Sequence, residues 1–321
     1  MSAQLSSANI PHASEQCKLR AKRQRPAALR ARTMRNVRCR AAMSPPEIRL
    51  VACDVDGTLL SGRHLLSDKN KAAVKKCQES GVPFFLATGK APGGEWVGLI
   101  QDLLPKGSKG LPGCFLQGLI VNGLNGEVIH QRELEHDTIR EGIAAGEELG
   151  LSILVYATDR ILVPKINEHT HRLAAYREPQ PEEVQDLRSL IGKVAMQKFI
   201  LAGTPEQIVE IRPLIMERLG GRAELTTALP GYLEVLPPGA SKGAGVARLL
   251  KTLDMDPQHV MCLGDGENDV EMMQLVGWPV AMANAGPEAK AACKAETASN
   301  DDDGVAQAIE KYVLKPRGLK L

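Results

Sequence analysis

The sequence is poor in aromatic residues and has neither a long apolar run nor a closely spaced cysteine pair. Aromatic residues make up 3% of its 321 residues, which argues against an extensive surface for stacking nucleic-acid bases. No run of roughly 18 or more apolar residues occurs, so no transmembrane helix is predicted. Five of the seven cysteines follow residue 43, and none belongs to a C-x-x-C motif. We expect buried free thiols rather than a disulfide framework or a zinc site.

Charge is distributed unevenly along the chain. Residues 1–43 carry ten Lys and Arg and a single acid, Glu15, which amounts to +9, whereas the remainder carries −7. This Arg-, Ala- and Ser-rich leader has the composition of an organellar transit peptide, and it lacks the apolar segment of a secretory signal. We expect a disordered transit peptide for the plastid stroma, with mitochondrial import or a basic tail as alternatives. The acidic remainder argues against nucleic acid as a partner, and no membrane partner is expected.

The segment 47–130 alternates between buried strands and a helix. Short, mostly apolar runs predict the strands, and apolar residues at helical spacing after a Ser-Asp start predict the helix. The predicted elements are the strands 48–53, 82–87 and 114–121 and the helix 67–80. Polar residues follow the strand ends, which is the pattern of a doubly wound α/β domain with a parallel sheet.

The middle of the chain, residues 131–235, predicts a separate α+β unit. Its predicted elements are the helices 138–150, 181–191 and 204–219 and the strands 151–157, 193–202, 222–227 and 231–236. The α/β pattern then resumes with a helix over 241–253 and a strand over 260–264. We therefore expect a core domain made of residues 47–130 and 236–321, with residues 131–235 inserted in it.

Two acidic segments follow predicted strands. Asp54 and Asp56 stand two positions apart at a strand end, so one carboxylate can attack while the other handles a proton. Their repulsion calls for a cation, and hard oxygen ligands suit Mg²⁺. Gly57 allows a sharp backbone turn beside a substrate. Asp265 and Asp269 form a second acidic group that suits the same ion. Acidic turns without a ligand are the alternative for both segments, and an EF-hand fits poorly.

Two further residues favour a bound phosphoryl group. Thr88, followed by Gly89, ends the second strand, where its hydroxyl can donate to a phosphoryl oxygen. Lys242 opens a helix, where its charge opposes the macrodipole, so an anionic partner is expected. A structural cap for Thr88 and an exposed side chain for Lys242 are the alternatives.

Taken together and in this order, these segments resemble the four motifs of the haloacid dehalogenase superfamily, and most closely its Cof-type phosphatase branch. Further marks of that branch are the segments 120–123, 241–243, 282–285 and 299–305. The resemblance covers about residues 47–313, although the inserted middle carries little of it. The branch usually has Arg after its Thr-Gly pair, whereas this chain has Lys90, which keeps the charge but loses bidentate geometry.

The resemblance implies a Rossmann-like core with an inserted cap, and an Mg²⁺-dependent hydrolase that acts on a small phosphorylated metabolite. It implies that Asp54 attacks phosphorus to form an aspartyl-phosphate, and that Asp56 protonates the leaving oxygen and then activates water. Thr88 and Lys242 would hold the phosphoryl oxygens. The remaining implied contacts are those to substrate from Gly57, Gly89, Lys90 and Asn268, and those to Mg²⁺ from Asp54, Asp56, Asp265 and Asp269.

The expected substrates are sugar phosphates, flavin mononucleotide or pyridoxal phosphate. A sugar phosphomutase and a non-catalytic metabolite-binding module are the alternatives, and the presence of both Asp54 and Asp56 argues against the second. Since the core motifs contact only phosphate and metal, we expect the inserted unit to act as a lid that sets specificity.

Overall fold

The computed structural model describes residues 44–104, 107–227 and 229–321. The predicted transit peptide, residues 1–43, lies outside the described residues. None of the helices in these three ranges combines the length and the apolar character needed to cross a bilayer.

The described residues form strands that belong to two separate sheets. In chain order they are β1 (Leu50–Cys53), β2 (Phe84–Ala87), β3 (Gly113–Phe115), β4 (Ile120–Asn122), β5 (Val128–Gln131), β6 (Ser152–Ala157), β7 (Arg160–Val163), β8 (Pro181–Glu183), β9 (Lys198–Ala202), β10 (Glu224–Thr226), β11 (Tyr232–Leu236), β12 (Val260–Gly264), β13 (Trp278–Ala281) and β14 (Ala295–Glu296).

Several helices of the described ranges have local sequence signals at their ends. They are α1 (Asp68–Glu79), α2 (Trp96–Ile100), α3 (His136–Glu148), α4 (Glu168–Ala175), α5 (Pro205–Leu219), α6 (Lys242–Thr252), α7 (Val270–Leu275), α8 (Pro287–Ala292) and α9 (Gly304–Ile309). The Ser67 side chain caps α1 by accepting a hydrogen bond from the Asn70 N–H. Helix α5 begins with a capping box at Thr204 and ends at Gly220, whose φ of 57° is left-handed.

The first sheet has the order β14-β13-β12-β1-β2-β3-β4-β5 within the described residues. Strands β14 to β3 are parallel, and β4 and β5 add antiparallel strands at one edge. Every residue of β1, β2, β12 and β13 is buried. Both faces of the sheet centre are therefore covered, which explains why these strands are continuous apolar runs rather than alternating ones. The predicted α/β fold with a parallel sheet is confirmed.

The second sheet has the order β10-β11-β9-β6-β7-β8 in the part of the chain that the structure describes. Its pairings are antiparallel except for β7 with β8. Helices α3 and α5 pack on it through apolar residues such as Ile143 and Ile215. Gly142 lets α3 approach closely, because a Cβ there would lie 2.0 Å from Cζ of Phe199. The chain enters this region after β5 ends at Gln131 and leaves it after β11 ends at Leu236.

The predicted strand 114–121 is wrong in one respect, because the chain reverses within it. A 3₁₀ turn, Leu116–Gly118, separates β3 from β4, and all three of its residues have left-handed φ angles. A Cβ at Gly118 would lie 2.2 Å from the Ser241 carbonyl oxygen, so the turn needs glycine. The run is apolar on both sides of the turn, so its pattern did not reveal the reversal.

The predicted helix 181–191 is also wrong. Residues 181–183 form β8, which pairs with β7, and only residues 188–190 form a 3₁₀ turn. Apolar residues at helical spacing favoured the helix, but pairing with a neighbouring strand outweighed that local preference. Within residues 131–235, the strand β7 and the helix α4 were also not predicted from the sequence.

Candidate active site

Three neighbouring parallel strands end at the same edge of the first sheet. Asp54 directly follows β1, Thr88 follows β2 and Asp265 follows β12. A cavity of about 370 Å³ lies at this edge, and residues of the second sheet form its opposite wall. The position agrees with the general rule that open α/β sheets bind ligands at the carboxyl ends of their strands.

Lys242 is held at this edge by the start of α6. The Ser241 side chain caps that helix by accepting a hydrogen bond from the Ala244 N–H at 2.9 Å. The Lys242 ammonium is 1% exposed and donates to Asp54 Oδ1 at 2.6 Å and to Asp269 Oδ1 at 2.7 Å. Burial alone would lower the pKa of Lys242, but the two carboxylates outweigh it and raise this pKa well above its ordinary value.

Three carboxylates converge at the same point. Oxygen atoms of Asp54, Asp265 and Asp269 lie within 4.8 Å of one another. Burial, and next the charge of Asp269, raise the pKa of Asp265 to about 6. Burial also raises the pKa of Asp54, although Lys242 opposes this effect. One ammonium compensates only one of three carboxylates, so the cluster suits a divalent cation that prefers oxygen ligands, such as Mg²⁺.

Asp269 is already bonded on both oxygens. Its Oδ1 accepts from Lys242, and its Oδ2 accepts the backbone N–H groups of Asp265 and Gly266 at 3.0 Å each. In Asp265, by contrast, Oδ1 accepts from the Thr58 hydroxyl at 3.2 Å and Oδ2 from the Asn284 amide at 3.3 Å. Each Asp265 oxygen therefore keeps a free lone pair for a ligand, and the Asp269 Oδ2 does not.

Asp56 lies between two bases at the mouth of the cavity. Its side chain is 28% exposed, with His64 Nδ1 at 3.3 Å from Oδ1 and Lys90 Nζ at 3.2 Å from Oδ2. The next residue, Gly57, has a φ of 74°, and a Cβ there would lie 2.3 Å from Asp265 Oδ2. Only glycine fits this close approach.

Lys90 contacts the chain segment that follows α4. Its ammonium donates to the Tyr176 carbonyl oxygen as well as approaching Asp56. The same segment also accepts a hydrogen bond from the Trp96 N–H at the Arg177 carbonyl, at 3.2 Å. The charge that Lys90 shares with the family's usual Arg is therefore paired inside the protein.

The other predicted residues are placed as follows. Thr88 lines the cavity, and its hydroxyl accepts the Lys90 N–H at 3.1 Å. The Gly89 carbonyl accepts from Lys198, and the Asn268 amide donates to Gln117 Oε1 at 3.3 Å. The predicted residues that line the cavity are Asp54, Asp56, Gly57, Thr88, Gly89, Lys90, Lys242, Asp265 and Asn268, whereas Asp269 lies behind Lys242. Their individual roles stay predictions.

Sequence reasoning missed the charged residues of the opposite wall. Lys198 of β9 and Glu234 of β11 are both buried and form an ion pair of 2.9 Å. A charged residue inside an apolar strand was a usable signal, because such groups are buried only when paired. Glu178 also lines the cavity, but it lies in the connecting segment after α4, where a charged residue is not unusual and gave no comparable signal.

The fold and this site define a haloacid dehalogenase-like hydrolase, and the model of that family matches residues 51–309. The chain belongs to this family, and its assignment to the Cof-type branch is confirmed. The predicted enzyme class, a hydrolase acting on phosphate esters, is confirmed as well.

Two curated relatives and one solved structure illustrate the similarity. A chloroplastic endoribonuclease of Arabidopsis thaliana is 37% identical over 281 residues, which are 84% of this chain but 47% of that protein. This chain therefore spans about half the length of that relative. A putative phosphatase of Streptococcus pyogenes is 30% identical over 83% of this chain and 99% of its own. A haloacid dehalogenase-like hydrolase structure from Bacteroides thetaiotaomicron, 27% identical, has a TM-score of 0.75 and covers 83% of this chain and 99% of its own.

Proposed function

We propose that this chain is an Mg²⁺-dependent phosphatase that hydrolyses a small phosphomonoester through an aspartyl-phosphate on Asp54. The observation that carries the proposal is the buried contact of 2.6 Å between Lys242 Nζ and Asp54 Oδ1, within a cluster of three carboxylates. An ammonium at this distance favours the ionised form of Asp54, which is the form that attacks.

We propose that Asp54 and Asp265, whose carboxylate oxygens lie close together, hold the metal, together with the Asp56 carbonyl that the family resemblance implies. When bound, Mg²⁺ would neutralise the charge of the phosphoryl oxygens and of the clustered carboxylates. We propose that Asp269 acts mainly by positioning Lys242 and the 265–266 backbone, because its oxygens are already bonded to these groups.

The reaction has two displacements at phosphorus. In the first, an Asp54 oxygen bonds to phosphorus while the bond to the leaving oxygen breaks, and Asp56 protonates that oxygen. In the second, Asp56 takes a proton from water, the water oxygen bonds to phosphorus, and the bond to Asp54 breaks to release inorganic phosphate. Thr88 and Lys242 hold the phosphoryl oxygens during both steps, so that positioning and charge neutralisation supply most of the acceleration.

We propose that residues 131–235 form a lid over a core of residues 47–130 and 236–321. Side chains of the second sheet, including Tyr156 and Ile200, line the cavity opposite the carboxylates. A cavity of about 370 Å³ suits a small metabolite such as a sugar phosphate, flavin mononucleotide or pyridoxal phosphate rather than a polymer.

We also propose that residues 1–43 direct the chain to the plastid. The charge of +9 in this leader supports the proposal, as does the chloroplastic relative from Arabidopsis thaliana.

A phosphate-release screen tests the proposed activity. The purified protein is incubated with sugar phosphates, flavin mononucleotide, pyridoxal phosphate, nucleotides and p-nitrophenyl phosphate, with Mg²⁺ or with excess chelator. We expect inorganic phosphate from at least one phosphomonoester with Mg²⁺ and none with chelator. An isomeric sugar phosphate without inorganic phosphate would identify a mutase instead. Binding without turnover would identify a non-catalytic module.

A further inference from the structure

The cavity contains a buried carboxylate that the proposed mechanism does not use. Glu178 lines the cavity, and its Oε2 accepts a hydrogen bond from the Ala91 N–H at 3.3 Å. Among the described residues its carboxylate has no ion pair and no other hydrogen bond. A carboxylate removed from water in this way lacks most of the donors that it would have in solution.

The lysines of the same cavity are all paired with carboxylates. The pairs are Lys90 with Asp56 at 3.2 Å, Lys198 with Glu234 at 2.9 Å and Lys242 with Asp54 at 2.6 Å. Lys242 is assigned to the phosphoryl group in the proposed mechanism, and the side chains of Lys90 and Lys198 are 2% and 1% exposed and already paired, so neither is free to bind a second anionic group of a substrate. Lys198, whose partner Glu234 has no role in the proposed mechanism, also donates to the Gly89 carbonyl at 2.9 Å.

Apart from tyrosines and the Lys198–Glu234 pair, the rest of this wall is apolar. Leu173, Ile200 and Leu229 line the cavity on the side of the second sheet. A single partly bonded carboxylate in such surroundings fixes the orientation of a ligand through its hydrogen-bond donors. When it is ionised, above its pKa of about 7, the same group also repels an anion, because burial limits the screening of its charge.

We infer that Glu178 accepts a hydrogen bond from a hydroxyl or amino group of the leaving group. The preferred substrate is then a phosphomonoester whose remaining part is neutral or cationic and carries no second phosphate or carboxylate. This inference rests on the proposed phosphatase function. Burial raises the pKa of Glu178 to about 7, while Lys90 and Lys198 oppose that rise, so a substrate donor would favour the charged form.

Matched substrate pairs test the inference. kcat/KM is measured with Mg²⁺ for sugar or polyol monophosphates, for the corresponding bisphosphates and for p-nitrophenyl phosphate. We expect the wild type to prefer the monophosphate of each pair by about 10-fold or more, since Glu178 repels the second phosphate and no free lysine compensates its charge. Glu178→Ala should lower kcat/KM for the monophosphate about 10- to 100-fold more than for p-nitrophenyl phosphate. Glu178→Lys should shift the preference toward the bisphosphate.

Glu210→Gln is the matched control, because Glu210 lies on the exposed face of α5 and should leave all ratios unchanged. If the wild type has the same kcat/KM for bisphosphates as for monophosphates, the inference is wrong, and no variant is needed to show it. Unchanged ratios in a folded Glu178→Ala protein would overturn the inference too. If the wild type fails to hydrolyse p-nitrophenyl phosphate and every other ester, the proposed function itself is wrong. If p-nitrophenyl phosphate is hydrolysed but Glu178→Ala leaves the kcat/KM ratios unchanged, only the proposed role of Glu178 is wrong, and the phosphatase function stands.

Discussion

The Lys242 ammonium donates a hydrogen bond of 2.6 Å to Asp54 Oδ1, although the two residues are 188 positions apart in the sequence. Asp54 ends β1 and Lys242 begins α6, so the contact joins the end of a central strand to the start of a helix. It holds a carboxylate at the cavity in one orientation, beside an ammonium that favours its ionised form.

Replacing Asp54 by Asn removes the charge of the proposed nucleophile and keeps its shape. We expect turnover to fall about 10³-fold or more, because loss of a covalent nucleophile leaves only the contribution of binding and positioning. Phosphate release measures the activity, and thermal denaturation checks that the fold persists. Asp137→Asn, on the exposed start of α3, is the control and should keep full activity. Substantial activity in Asp54→Asn would show that another group attacks.

Asp56→Asn removes the proposed acid and base. Alkyl phosphates should lose about 10²- to 10⁴-fold in rate, because their leaving oxygen needs a proton. With p-nitrophenyl phosphate the leaving group is stable as an anion, so the first step should survive better than the second. Stopped-flow measurement should then show a burst of nitrophenolate that matches the enzyme concentration. Equal losses on both kinds of ester, without a burst, would contradict the assignment.

Removal of the metal should abolish activity. A chelator should stop turnover, and added Mg²⁺ should restore it. Asp265→Ala should raise the Mg²⁺ concentration needed for half-maximal activity or eliminate activity, since this carboxylate keeps lone pairs available. Asn284→Ala removes the hydrogen bond of 3.3 Å that the Asn284 amide donates to Asp265 Oδ2. This variant should raise the required Mg²⁺ concentration by a smaller amount. Titration of activity with Mg²⁺ measures both effects, and full turnover in excess chelator would refute the metal site.

The buried Glu178 side chain should make the free energy of unfolding depend on pH. Burial is the main cause that raises its pKa from 4.5 to about 7, so the folded protein holds this proton more tightly than the unfolded chain. The stability that the folded protein gains by keeping Glu178 protonated is therefore complete below pH 4.5, and it is lost as the pH rises through the pKa of about 7. Glu178→Gln does not ionise, so its stability relative to wild type should increase by about 2.5 kcal/mol between about pH 5 and pH 8.

Urea denaturation of both proteins at these two pH values measures that difference. Glu210→Gln, at an exposed position of the proposed lid, should show no such change with pH. A difference between wild type and Glu178→Gln that stays constant across this range would mean that the folded protein does not raise this pKa.

The leader should be separable from catalysis. A protein that begins at residue 44 should keep the activity of the full chain, because the residues of the proposed site all follow position 50. Residues 1–43 fused to a fluorescent protein should carry it into plastids. The same fusion with its ten Lys and Arg replaced by Gln is the control and should stay outside. A cytosolic signal from the unmodified fusion would contradict plastid targeting, and a mitochondrial signal would favour the alternative.

The part of the candidate site that lies on the first sheet could be predicted from local sequence patterns. Asp54, Thr88 and Asp265 follow apolar runs of strand length, and parallel strands place their carboxyl ends at one edge. The apolar periodicity of residues 241–253 likewise predicted a helix that Lys242 opens, and the structure shows α6 beginning at Lys242. The reversal at Leu116–Gly118 could not be read, because apolar residues on both sides conceal a turn that depends on three left-handed φ angles.

By itself, the sequence determined the α/β class, the parallel sheet and the positions of the acidic residues at strand ends, because these follow from local periodicity and from the geometry of parallel strands. Only the tertiary structure decided which charges are paired. Lys198 meets Glu234 across strands β9 and β11, and Lys90 meets Asp56, whereas Glu178 is left with one backbone donor. Such pairings depend on how distant segments pack, since a charge responds to whatever lies within a few ångströms of it and not to its neighbours in sequence.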